Sequence, residues 1–120
     1  MVSSKPRIQR FRRFNAPMHI RQKFAHAHVS KELKAKLGIK RRAVQVRQGD
    51  TIKIMTGKDR GKGGKVSRVD LRDQAVFVDG IVRKNAKGKE LQVPIRISKV
   101  YITELNLSDK ARKEKLGVKE

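Results

Sequence analysis

Along residues 91–98 apolar and polar side chains alternate. Leu91, Val93, Ile95 and Ile97 fall on one side, and Gln92, Pro94, Arg96 and Ser98 on the other. A period of two places alternate side chains on one face of an extended chain, so the stretch predicts a half-buried strand. Val100 and Ile102 continue the pattern in a further strand, and Ile52 and Ile54 show it earlier. Proline has no N–H to give to a ladder, so Pro94 puts its strand at a sheet edge. Turn-forming clusters separate these runs: Gln48-Gly49-Asp50, Leu71-Arg72-Asp73 and Ala86-Lys87-Gly88. A glycine-rich stretch, MTGKDRGKGGKV at 55–66, lies between strands expected at 51–55 and 65–69. Short strands at this spacing predict a mainly β domain over 43–105, a small barrel or sandwich. Its core is expected from Val46, Ile52, Ile54, Val66, Val76, Val78, Val93, Ile95, Val100 and Ile102. At roughly 60 residues such a domain is marginal by surface-to-volume scaling, so a partner that binds only the folded form would stabilise it further.

Helical signals flank this domain. In HVSKELKAKLGI, Ser30 is placed to N-cap, Glu32 sits in the first turn, and Gly38 closes the end. Leu33 and Leu37 share a face, so a short helix is expected near 31–37 within an N-terminal segment, 1–42. LSDKARKEKLG reads the same way, with Ser108 as cap and Gly117 as stop, in a C-terminal helical extension over 106–120.

Charge changes the picture of the N-terminal segment. The 120 residues carry 32 Lys+Arg against 11 Asp+Glu, a net charge of +21, with 37% hydrophobic residues for one modest core. Residues 1–49 hold 14 of the basic residues and a single acid, Glu32. A segment so charged and so poor in large apolar residues does not fold alone, and residues 1–29 show no periodic apolar face. They are expected to be a mobile arm that becomes ordered, extended, along a polyanion. Nucleic acid is the first candidate, because neutralising phosphates releases counterions; an anionic membrane surface is the second. The absence of cysteine excludes disulfides and thiolate metal sites. No apolar run approaches the roughly 18 residues of a membrane span. The start, MVSSKPRIQRFRRF, lacks the apolar stretch of a secretory signal. It is Arg-rich like a mitochondrial transit peptide, but Pro6 and Pro17 and its weak amphipathicity oppose that, and a cytoplasmic location is expected.

The glycine stretch fails both phosphate-loop patterns. Six positions on from Gly57, counted inclusively, a P-loop needs glycine and the chain has Lys62; from Gly61 a dinucleotide fingerprint needs glycine and the chain has Val66. No helix follows to present its N-terminus. The stretch is expected instead to be a turn shaped by Gly57, Gly61, Gly63 and Gly64, with Lys58, Arg60, Lys62 and Lys65 standing outward. In the arm, RFRRF and HIRQKF interleave Phe11, Phe14 and Phe24 with Arg10, Arg12, Arg13, Arg21 and Lys23. Such cations meet phosphates, while the rings either stack on unpaired bases or pin the arm to protein. Arg41 and Arg42, at the end of the segment, complete the RNA-binding candidates. His26-Ala27-His28 lacks metal-ligand spacing, His19 stands alone, and the aspartates fall at turns. No nucleophile, base and orienting group assemble from these residues, so a non-enzyme without cofactor or metal is expected.

VQVRQGDTIKIMTGKDRGKGGKV resembles the KOW motif: apolar strand, Gly-Asp turn, apolar strand, then a basic glycine loop leading into Lys-Val. Transcription elongation factors and several ribosomal proteins share that motif; the former ordinarily carry a separate α/β domain before it, which residues 1–42 cannot supply. The flanks FNAPMHIRQKF, VSKELKAKLGIKRRAVQVRQGD and ISKVYITELNLSDKARKEK extend the likeness from about Arg10 to about Leu116. They resemble the family of large-ribosomal-subunit protein twenty-four (number twenty-six in eukaryotic naming), with the short C-terminus of the archaeal type. The resemblance implies a Src-homology-3-like barrel that binds large-subunit ribosomal RNA, touches neighbouring ribosomal proteins, helps to start subunit assembly and lies by the nascent-peptide tunnel exit. By position, Gly57 and Gly61 match the glycines of the motif loop, and Arg60, Lys62 and Lys65 its basic residues. Arg96-Ile97-Ser98 stands where family members often have His-Pro-Ser.

Overall fold

A computed structural model describes residues 2–118. Three helices lie in the first third of the chain: α1 (Pro6–Asn15), α2 (Met18–Phe24) and α3 (Lys31–Leu37), with strand β1 (His26–Val29) between the last two. Strands β2 (Ala43–Gln45), β3 (Thr51–Ile54), β4 (Gly63–Asp70) and β5 (Ala75–Val78) follow. Next come β6 (Val82–Lys84), β7 (Glu90–Gln92), β8 (Ile95–Arg96), a 3-10 turn (Ile97–Lys99), β9 (Val100–Glu104) and α4 (Lys110–Leu116). Seven strands form one sheet in the order β2-β1-β9-β3-β4-β5-β8, and β6 and β7 form a separate two-stranded ribbon. The architecture is thus mixed α/β, a seven-stranded sheet with four helices, and less purely β than the sequence pattern suggested. Strand pairing ends at β2 and β8.

The helix caps follow local chemistry. Ser30 accepts a hydrogen bond from the Leu33 N–H at 3.2 Å, and Gly38 turns the chain out of α3 at φ 64°. At α4 the cap is Asp109, not Ser108: its carboxylate accepts from the Ala111 N–H at 3.1 Å, and Gly117 ends the helix at φ 66°. A charged acceptor at that position also favours the positive end of the helix.

The expected single strand across 91–98 is broken. Residues 90–92 pair with β6, whereas Ile95 and Arg96 pair with Val76 and Ala75 of β5. Pro94 stands between the two pieces, where its missing N–H leaves no ladder gap. Leu91 is consequently exposed and Val93 half-buried, while Ile95 and Ile97 reach the core. The other nine expected core residues are all buried in one apolar cluster.

The N-terminal segment departs most from expectation. Residues 6–24 are two helices rather than extended chain, and β1 is an interior strand of the sheet. β1 pairs antiparallel with β2 (Ala27 opposite Val44) and parallel with β9 (Val29 opposite Ile102). Ala25, Ala27 and Val29 are buried in the core cluster, and Leu33 of α3 joins them. By contrast, α1 buries no residue.

Candidate nucleic-acid interface

The loop from Met55 to Lys62 links β3 to β4. Gly57 and Gly61 take φ of 101° and 85°, a region that side-chain-bearing residues resist. A Cβ at either would meet nothing within 4 Å, so backbone conformation rather than space calls for glycine. The loop closes where the Gly61 N–H donates to the Ile54 carbonyl and the Ile54 N–H to that of Lys62, both at 2.9 Å. Lys58, Arg60, Lys62 and, on β4, Lys65 are exposed. Lys62 reaches Asp59 at 2.9 Å, and the other three have no acidic partner among the described residues. Lys58 shares a depression of about 310 Å³ with Arg83 and Lys99, two cations the motif does not mark. Gly63 and Gly64 do a different job from the turn-shaping expected of them. Both lie in β4, where a Cβ would stand 2.8 Å from the Ile52 carbonyl oxygen and 2.8 Å from Val78 Cγ1 respectively. They allow β4 to pass close to its neighbours.

A second basic region forms where the N-terminal helices meet the β4–β5 turn. Arg10, Arg13 and Phe14 of α1 and Arg21 of α2 line an open cleft of about 590 Å³. Arg72, Asp73 and Gln74 of the turn and Arg96 of β8 complete it. Two of these arginines hold the walls together. Arg13 Nε donates to Gln74 Oε1 at 3.1 Å, and its guanidinium lies 5.5 Å from the centre of the Phe24 ring. Arg21 donates to the carbonyls of Ala16 (2.8 Å), Arg72 (3.1 Å) and Phe14, fastening both helices to the turn. Arg10, Arg72 and Arg96 are exposed and without acidic partners among the described residues. The sequence did not mark Arg72 and Arg96, because the pairing of Ala75 with Arg96 sets Arg96 beside the turn, and the bonds of Arg13 and Arg21 set the turn beside the helices. Phe11 and Phe14 are 70% and 79% exposed on α1, whereas Phe24 is partly covered.

The remaining candidates lie apart from this cleft. Arg12 lines a neighbouring recess of about 310 Å³ beside Phe24. Arg41 lines a groove of about 790 Å³ between the ends of α3 and α4, with Lys36, Lys40 and Lys115. Lys23 faces a small recess, about 120 Å³, along β2. Arg42 is exposed, and its carbonyl accepts from the Val29 N–H at 3.1 Å. His28 packs edge-on against Tyr101, with centroids 5.7 Å apart.

Asp50, read from sequence as a turn former, is a fully buried hub. Arg112 of α4 donates to both its carboxylate oxygens at 2.7 Å, and the N–H groups of Arg47 and Asn106 donate at 2.9 and 2.8 Å. The same guanidinium donates to the carbonyls of Asn106 and Gln45, so the buried side-chain polar atoms of the described residues are all satisfied. Nearby, Arg47 meets Asp109 at 2.8 Å. That bond, then the Ala111 N–H, holds the Asp109 carboxyl below its ordinary pKa. The C-terminal helix is thereby fixed beside the sheet.

Comparison with known proteins agrees with the motif. A family model for ribosomal proteins, those numbered twenty-six in eukaryotes and twenty-four in archaea, matches residues 3–119. The "Large ribosomal subunit protein uL24" of Methanospirillum hungatei is 47% identical over 117 residues, covering 98% of this chain and 96% of the relative. That of Korarchaeum cryptofilum is 48% identical over 120 residues (98% and 90%), and that of Saccharolobus solfataricus 44% over 116 (97% and 96%). A likeness spanning sheet, arm and C-terminal helix is more than a shared KOW motif would produce. The chain therefore belongs to this family, which is one of ribosomal proteins and not of enzymes.

Proposed function

We propose that this chain is a structural constituent of the large ribosomal subunit, cytoplasmic, and binds ribosomal RNA with its basic helices and glycine loop. Family membership over residues 3–119 is the observation that carries the reading. Its physical support is the surplus of cations: among the described residues only Arg47, Lys62 and Arg112 reach a carboxylate. Exposed and unpaired, Arg10, Arg12, Arg41, Arg42, Lys58, Arg60 and Lys65 are free to meet phosphates and displace counterions. Early binding to the RNA during subunit assembly, and a position by the tunnel exit among other ribosomal proteins, belong to the same proposal and rest on the family likeness.

The finer fold reading belongs here too: the sheet is proposed to coil into a Src-homology-3-like barrel. Val44, on the strand at one sheet edge, and Ile95, on the strand at the other, share one apolar cluster. Register shifts at Thr51/Ile52 and between Val66 and Arg68 supply the local bends that coiling needs. A sheet that stayed open would leave the Val44 and Ile95 methyls without common neighbours in methyl NOE spectra.

The test of function is binding to large-subunit ribosomal RNA across a salt series. Arg60→Glu with Lys62→Glu is expected to leave folding intact, weaken binding and flatten the dependence of log affinity on log salt. Affinity and slope both unchanged would remove the glycine loop from the interface.

A further inference from the structure

We propose that the cleft between α1, α2 and the β4–β5 turn seats a single unpaired nucleotide of the bound RNA. Its phosphate is held by Arg10, Arg72 and Arg96, and its base lies on Phe14. This rests on the RNA-binding reading above and names the element of RNA that one site takes. Three features of the cleft point to a nucleotide rather than to the backbone of a duplex.

The first is size. About 590 Å³ falls in the range of pockets that enclose small organic ligands, and far exceeds what a phosphate group alone fills. The second is the ring. Phe14 is 79% exposed on the cleft wall, surrounded by arginines that discourage an apolar protein partner. A paired helix shows phosphates and groove edges, never a base face, so only an unpaired base uses that ring. The third is the placing of donors and acceptors. Arg10, Arg72 and Arg96 offer planar donor forks suited to phosphate oxygens. Asp73 is the one carboxylate in the lining; it repels phosphate and accepts from a ribose hydroxyl or an exocyclic amine.

The cleft is also held in shape before any ligand arrives. Arg13 and Arg21 are occupied by Gln74, Phe24 and three backbone carbonyls, and so serve as braces. Gln74 is the one non-glycine residue with positive φ among the described residues, at 53°. Backbone held in that region is maintained by its surroundings and is found preferentially at binding sites. Here it accompanies the Gln74 contact to Arg13, which ties the turn to α1.

The experiment compares two RNA hairpins of one sequence, fully paired or carrying one unpaired 2-aminopurine, binding to the full chain at fixed salt. The unpaired form is expected to bind roughly tenfold tighter, the effect of stacking one base, with quenching of the aminopurine fluorescence. Phe14→Ala, at an exposed position of a helix that buries no residue, should abolish preference and quenching without altering the fold. Arg60→Glu with Lys62→Glu should weaken both hairpins alike and keep the preference. Equal affinity for the two hairpins in the unaltered chain, or a preference that survives Phe14→Ala, overturns the nucleotide seat and leaves the general RNA-binding reading standing. Failure of the unaltered chain to bind either hairpin or ribosomal RNA at low salt overturns that general reading, and the seat with it.

Discussion

Asp50 and Arg112 are 62 residues apart in the chain and meet through two 2.7 Å bonds in the interior. Burying a charge is costly unless the partner is in place, and removing one partner leaves the other charged and desolvated. Arg112→Met should therefore cost about 3–5 kcal/mol in urea unfolding at neutral pH, although methionine fills much of the arginine's volume. A loss below about 1 kcal/mol, the range of an exposed pair, would mean that water reaches Asp50. No sequence pattern announces this pair, since Gly-Asp is also the commonplace signature of a turn. The glycines are the opposite case. Their clustering between two apolar runs pointed to turns, and Gly57 and Gly61 do hold positive φ. Gly61→Val should destabilise by more than ~1 kcal/mol, because a β-branched residue resists that region. A valine tolerated without loss would show that the loop relaxes to another conformation. That Gly63 and Gly64 serve close approach to Ile52 and Val78 instead depends on strand register, which adjacent sequence does not display.

The strands of alternating Val and Ile were readable because each such residue buries a large side chain on one face. β1 was not. His26-Ala27-His28-Val29 alternates too, yet Ala and His give a weak apolar signal, and the strand has only four residues. Its place is set by partners on either side, β2 and the distant β9. Removing it takes Ala27 and Val29 from the core and exposes one edge of β9. A chain of residues 43–105 should accordingly lose its cooperative thermal transition, whereas residues 25–118 should keep one. The helices before β1 stand on different ground, since α1 buries nothing and is fastened through Arg13 and Arg21. In hydrogen exchange α1 should open first and β1 should be protected nearly as long as β9. A cooperative transition in residues 43–105 alone would show that β1 is dispensable to the core.

Net charge was legible from composition, but its consequence depends on shape. The molecule measures 48 × 38 × 23 Å, so charges on opposite faces are separated by little more than two nanometres. At 0.01 M salt the screening length is about 30 Å, longer than the thin dimension, and the +21 surplus repels itself from one broad face to the other. At 0.15 M it is about 8 Å, and only near neighbours interact. Of the three ion pairs among the described residues, the buried Asp50–Arg112 is sheltered from salt, and the two exposed ones lose little when screened. Repulsion relieved should therefore outweigh attraction lost. The thermal midpoint of the free protein should rise as sodium chloride is raised from about 10 to about 150 mM, as these screening lengths require. RNA affinity should fall over the same interval, because each counterion released gains less entropy as the bulk salt rises. The two trends have opposite signs and one cause, an excess of cations that the free chain cannot neutralise. Ligand binding to the folded form should then raise the midpoint most at low salt, where the free protein is weakest and its RNA complex tightest. Scanning calorimetry of the protein with and without ribosomal RNA at both salt levels measures all of these. A midpoint that falls with salt in the free protein would show that exposed ion pairs, not repulsion, govern its stability.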